Sequence, residues 1–187
     1  MTVSARANSR DAILDAAETV VSKDGASRLT LDAVAASAGV SKGGLLYSFP
    51  TKEALLEAMI ERLCARFEQA SAAAQEQMSR DSAAALKVYF SATLDRKPGQ
   101  DRVANALLAA VANNLDLLKP MRVHHARWVR SLAERPTFAR DTVAWLAAEG
   151  LWLLELLRVS PLNAEQRREV VRYLNTLIRG ESNSRRS

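Results

Sequence analysis

The sequence predicts an all-α protein. Its 48% hydrophobic content includes only 5% aromatics, and the apolar residues are mostly Ala and Leu, both strong helix formers. They recur at spacings of three and four, the period of one helix face. Capping and breaking residues stand between the periodic stretches, with no internal repeat and no β-type alternation of useful length. About nine helices are expected. A chain of 187 residues can hold one domain, or a small domain joined to a larger one.

Ser9 is placed to cap a first helix with Ile13, Ala16, Ala17, Val20 and Val21 on one face, ended by Asp24-Gly25. Thr30 caps a short second helix carrying Leu31, Val34, Ala35 and Ala38, which Gly39 breaks after two turns. Ser41 caps a third, from Lys42 to about Tyr47, stopped by Pro50. Thr51 opens a longer fourth with Leu55, Leu56, Met59, Ile60, Leu63 and Phe67 in register, fraying across Ser71 to Ser79. Candidate helices then run from Asp81 to Asp95, Asp101 to Leu118 and Pro120 to Glu134, separated by breakers at Pro98-Gly99 and Pro136. A very apolar helix is expected from Thr137 to Val159. After Pro161, Asn163 and Gln166 form a capping box for a last helix ending near Arg179. The polar residues 181–187 read as a disordered tail.

The informative stretch lies between Thr30 and Lys52. Two short helices meet there at Gly39, with Ala35 and Ala38 allowing close approach and Val40 plugging the angle. The second of them presents Ser41, Lys42, Gly43 and Gly44 at its start. Small residues at that end let a helix sink into a major groove, and free N–H groups suit a phosphate. Tyr47 and Lys52 follow at distances suited to the flanking backbone; Tyr47 is equally suited to packing. Arg6 and Arg10 could form an arm toward DNA or remain solvated.

This run resembles the N-terminal domain of TetR-family regulators. The resemblance rests on the Thr-opened second helix, the Gly39-Val40-Ser41 turn, the small-residue recognition helix and the junction Tyr47-Ser48-Phe49-Pro50-Thr51-Lys52-Glu53-Ala54-Leu55. It covers about residues 9–60. Two positions depart from the common pattern: Ser48 stands where the family usually has His or Tyr, and Gly44 where Thr, Ala or Ser is frequent. The resemblance implies a helix-turn-helix DNA-binding domain over 1–52 and a helical ligand-binding and dimerisation domain over 53–180. It implies phosphate anchoring by Thr30, groove contact by Ser41, Lys42, Gly43 and Gly44, and backbone contact by Tyr47, Ser48 and Lys52. Leu31, Val34, Val40, Leu45 and Phe49 would form the core of the small domain.

A reading head of this size covers half an operator, so a homodimer on a palindromic double-stranded DNA site is expected. The resemblance implies pairing through the last two helices; Leu153, Leu156, Val170, Leu174 and Leu177 are the candidates. It also implies an effector pocket among the middle helices, for which Asn113, Asn114, His124, Trp128, Trp145, Glu149 and Trp152 are candidates. Each Trp could equally be packing. Residues 119–140 hold Lys119, Arg122, Arg127, Arg130, Arg135 and Arg140 against Glu134 alone, which reads as a solvated face or as a site for an anionic effector.

The net charge of +5 does not carry the DNA reading, because residues 1–52 contribute +1 and the remainder +4. No Ser-His-acid order, distinctive carboxylate pair or phosphate loop suggests an enzyme, and no cofactor is implied. His124 and His125 are adjacent, hence about 100° apart on a helix, and no ligand cluster accompanies them, so no metal is expected. Cys64 has no partner for a disulfide and reads as a small buried residue. No apolar run approaches a membrane span, and no secretory pattern opens the chain, so a cytoplasmic regulator without membrane contact is the expectation. The runner-up is a helical interaction module with the same fold that does not read DNA.

Overall fold

The computed structural model describes residues 3–25, 28–77, 84–94 and 102–179. Among them are nine α-helices, one 3-10 turn and no strand. The helices are α1 (Val3–Asp24), α2 (Leu31–Ala38), α3 (Lys42–Ser48), α4 (Lys52–Gln77), α5 (Ala84–Leu94), α6 (Arg102–Val111), α7 (Lys119–Ala133), α8 (Phe138–Leu156) and α9 (Ala164–Arg179). None is long and apolar enough to cross a membrane. The expected tail at 181–187 and the Pro98-Gly99 break lie outside the described residues.

Helix starts follow the capping chemistry. Thr30 Oγ1 accepts the Ala33 N–H at 3.1 Å and Thr51 Oγ1 the Ala54 N–H at 3.0 Å. Asn163 Oδ1 accepts from Glu165 and Gln166, while Gln166 Oε1 accepts the Asn163 N–H at 3.0 Å, closing the capping box. Gly39 ends α2 at φ +66°; its N–H bonds Ala36 O and the Val40 N–H bonds Ala35 O, a Schellman closure. Gly39→Ala is expected to lower stability by about 1–2 kcal/mol, because a Cβ is strained in the left-handed region. A urea melt measures it.

Four boundaries differ from the sequence reading, among them the end of α8, which stops at Leu156 and not at Val159. Helix α1 begins at Val3, so Ser9 lies inside it rather than capping it. Helix α4 continues through residues 71–77, whose Ala and Gln content favours helix over the expected fraying. The single helix expected from Asp101 to Leu118 is two pieces. Asn114 Oδ1 accepts the Asp116 N–H at 3.0 Å, and Leu115–Leu118 form a 3-10 turn. Short polar side chains compete with the helical backbone in this way.

The chain forms two compact units. The first comprises residues 1–64 and 99–122, and thus takes in more chain than 1–52; the second comprises 65–98 and 123–187. In the first, Ile13, Leu14, Ala17 and Val21 of α1 pack with Leu29, Val34, Leu45, Phe49, Leu55, Met59, Leu107 and Val111. Cys64 is buried there, its Sγ 4.0 Å from Met121 Sδ. Arg62 of α4 fastens α1 by bonding Asp15, with Glu18 at 3.8 Å.

The second unit has its core at Leu86, Tyr89, Phe90, Leu132, Trp145, Leu151, Leu174 and Ile178. The turn from α7 into α8 is organised around Asp141, which is 0% exposed. Its Oδ2 lies 3.1 Å from Arg135 Nη1 and accepts the Thr137 hydroxyl at 2.7 Å; its Oδ1 accepts from Arg140 Nε at 3.1 Å. The basic excess of 119–140 is partly answered from outside the segment. Asp141 takes Arg135 and Arg140, Asp116 takes Lys119 at 3.8 Å and Arg122 at 3.9 Å, and Glu68 takes Arg127 at 3.2 Å. These carboxylates engage five of the six basic residues of the segment, all but Arg130.

Candidate nucleic-acid interface

Helix α3 has seven residues, two of them the glycines Gly43 and Gly44. Each glycine disfavours a helix by roughly 1 kcal/mol relative to Ala, so α3 cannot stand alone. It is held by packing. Leu45 is fully buried, Phe49 follows it into the core, and Val40 packs half-buried against the same cluster. Ser41 Oγ accepts the Gly44 N–H at 3.1 Å. A Cβ at Gly44 would meet that same oxygen at 3.3 Å, a tight contact that the Ser41 hydroxyl would have to ease; Gly43 faces open space.

With Leu45 anchored inward, Ser41, Lys42, Gly43, Gly44 and Tyr47 are left exposed. Tyr47 is 76% exposed, which decides its orientation: it is available for contact and is not a packing residue. Thr30 is exposed, and its hydroxyl, already accepting from Ala33, retains a proton to donate. Ser48 and Lys52 are half-buried.

One partner of this face was not legible from residue spacing. Lys42 Nζ lies 2.8 Å from Asp32 Oδ1 and 3.1 Å from its Oδ2, joining α3 to α2. A phosphate must compete with Asp32 for this ammonium. Both side chains are largely exposed, so the pair is worth under about 1 kcal/mol and yields readily to a second anion. Asp32 is the only acid between Thr30 and Lys52, the signal that could have identified it. Arg10 does not form an arm. Its guanidinium carbon sits 5.1 Å from the centre of the Phe49 ring, with Glu61 at 3.9 Å, so it supports the junction after α3. The Arg6 side chain lies outside the described residues.

Comparison with family models places residues 13–59 in the bacterial regulatory proteins of the tetR family and residues 83–179 in the tetracyclin repressor-like C-terminal domain. The chain belongs to the TetR family. Its helix-turn-helix therefore occupies the place of the family's DNA-binding unit. A search of curated proteins found no matching relative. Among solved structures, a TetR-family member from Streptomyces coelicolor A3 is 27% identical, with a TM-score of 0.65 over 89% of this chain and 97% of that one. The multidrug binding protein EbrR, in complex with ethidium, is 28% identical, with a TM-score of 0.62 over 89% of this chain and 98% of that one. A transcriptional regulator from Rhodococcus sp. Rha1 shares the fold at 19% identity, with a TM-score of 0.67 over 91% of this chain and 96% of that one.

Five of the seven candidate effector residues, His124, Trp128, Trp145, Glu149 and Trp152, belong to the second unit of this TetR-family chain. Tyr89, not singled out from the sequence, joins them. It stacks on Trp128 at 4.9 Å between ring centres, and its hydroxyl donates to Glu149. Burial, and then the Glu149 charge, push that hydroxyl's pKa well above the tyrosine range. His125 sets its ring edge-on to Trp145 at 5.3 Å, and burial followed by the His124 charge lowers its pKa. His124 Nδ1 lies 3.0 Å from Glu68 Oε1, and a carboxylate can only accept, so Nδ1 carries the proton. The two histidines are thus committed to different partners. Asn113 and Asn114 belong to the first unit, where Asn114 is the turn cap already described and Asn113 donates to Ala109 O.

The candidate dimer residues divide similarly. Leu156 and Leu174 are buried in the protomer's own core, and Val170 and Leu177 pack partly against it. Leu153 is exposed. It lies on an outward stripe of α8 formed by Val143, Leu146, Gly150 and Leu153 and continued by Leu157 just past its end, at alternating spacings of three and four. Helix α8 is apolar on two faces, so composition alone could not assign residues between them.

Proposed function

We propose that this TetR-family chain is a repressor that binds a palindromic operator as a homodimer and is released by a small-molecule effector. The observation that carries the reading is the exposed face of α3, where Lys42, the two glycines and Tyr47 surround a capped helix start whose apolar anchor is buried. Such an end enters a major groove, and a two-fold pair of heads matches half-sites one helical turn apart. Thr30, Ser41, Gly43, Gly44, Ser48 and Lys52 complete the contact set. The outward stripe of α8 supports pairing with a second copy.

The effector site belongs with the aromatic group of the second unit. Tyr89, Trp128 and Trp145 form an aromatic group beside the Glu149 carboxylate, a composition that supports an aromatic effector. The EbrR relative in complex with ethidium supports the same class. Helix α4 contributes residues to both units and is the natural coupling element. The effector must bind the released state more tightly than the DNA-bound state; equal affinity would shift nothing.

The test is fluorescence anisotropy with DNA from upstream of the chain's own gene against unrelated competitor. Lys42→Ala is expected to weaken binding and reduce the slope of log K against log salt by about one. An unchanged salt titration rejects the phosphate role of Lys42. Binding no tighter to the upstream DNA than to competitor returns the chain to the runner-up, a helical interaction module.

A further inference from the structure

A cavity of about 270 Å³ opens in the first unit, walled by α1, α4 and α6. Val21, Leu29, Leu56 and Leu107, all buried, make its floor; half-buried Lys52 and exposed Asn113 stand at its edge. The floor is apolar and the polar side chains stand at its open edge, an arrangement suited to an amphipathic guest. Among the described residues Lys52 has no hydrogen bond or ion pair, so its ammonium is available to an incoming group. Asn113 Nδ2 spends one hydrogen on Ala109 O at 3.1 Å and keeps the other.

We propose that this cavity binds a small amphipathic carboxylate, its apolar part on Leu56 and Leu107 and its carboxylate on Lys52. The charge at the edge selects an anion, and the floor selects an apolar body. The volume falls just below the roughly 300–1,000 Å³ of drug-sized sites, which restricts the guest to a medium-chain or single-ring acid. This site lies within the unit that carries the helix-turn-helix and is separate from the aromatic group of the second unit. Its consequence rests on the proposed function: Lys52 is a candidate backbone contact, and a bound carboxylate takes the ammonium that a phosphate would use.

Calorimetric titration of the full chain with octanoate, with octanamide as the uncharged counterpart, tests it. One octanoate per chain is expected, with octanamide about tenfold weaker, the ratio for losing one charge-assisted hydrogen bond. Ala106→Leu should fill the floor and abolish binding. Ala109→Leu, at an exposed helix position, serves as a second obstruction that does not depend on core repacking. Lys52→Gln should lower octanoate affinity to that of octanamide, and Lys52→Arg should restore it. Absence of saturable binding, equal affinity for acid and amide, or binding that survives both leucine variants overturns the proposal. A further arm adds octanoate to the operator titration, where it should weaken DNA binding by the parent chain and leave Lys52→Gln unaffected. If the chain binds no operator, the calorimetric arm still decides the cavity.

Discussion

Asp141→Ala is expected to lower the unfolding free energy by about 3–5 kcal/mol, the usual cost of removing one partner of a buried ion pair. Asp141 is completely buried, and three side chains depend on it: Arg135, Arg140 and Thr137. Arg135 is only 15% exposed, so losing the carboxylate leaves a guanidinium away from water without its counter-charge. The same carboxylate lies in the first turn of α8, where negative charge is favoured by the helix dipole and where Thr137 supplies no side-chain cap. Asp141→Asn keeps the shape and an acceptor for Thr137 but removes the charge, and should fall between Ala and the parent. Urea denaturation checks both, with the midpoint moving and the slope unchanged. A loss below about 0.5 kcal/mol for Asp141→Ala, the level of an ordinary surface change, would show that the cluster does not hold the turn between α7 and α8.

What could be read from the sequence was local. Thr30, Ser41, Thr51 and Asn163 cap helices because their oxygens reach backbone N–H groups two or three residues on, and such chemistry needs no tertiary information. Gly39 marked its turn for the same reason. The ends and the turn of the helix-turn-helix are set by such contacts, which is why they were legible residue by residue, although α3 itself is held by packing. Partners far apart in sequence were not. Lys42 meets Asp32 across a turn, Arg127 meets Glu68 from another helix, and Tyr89 reaches Glu149 sixty residues away. A window of local charge therefore missed the carboxylates outside the segment that pair with five of its six basic residues. Two-sided apolarity limited α8 and α9 in the same way: Leu153 faces outward while Leu156, one turn on, is core.

That division makes the second large effect specific. Leu146→Arg with Leu153→Arg is expected to convert the proposed homodimer to a monomer and to weaken operator binding by about two orders of magnitude or more. Each copy would bring two charges into an apolar contact, and a loss of only ~3 kcal/mol already amounts to a hundredfold. Both positions are exposed in the protomer, Leu146 at 55% and Leu153 at 42%, so its own stability should change by less than about 0.5 kcal/mol. Leu156→Arg must behave in the opposite order, unfolding the protomer first, because its side chain is core. Gly150 at the middle of the stripe has open space around its missing Cβ, which leaves room for a second helix to approach closely. Sedimentation velocity on the double variant measures the mass, and a thermal melt measures the protomer. A dimer that persists with both arginines in place would move the pairing surface off this face of α8, whereas a folded monomer that has lost the operator ties the stripe to DNA reading through the spacing of two heads.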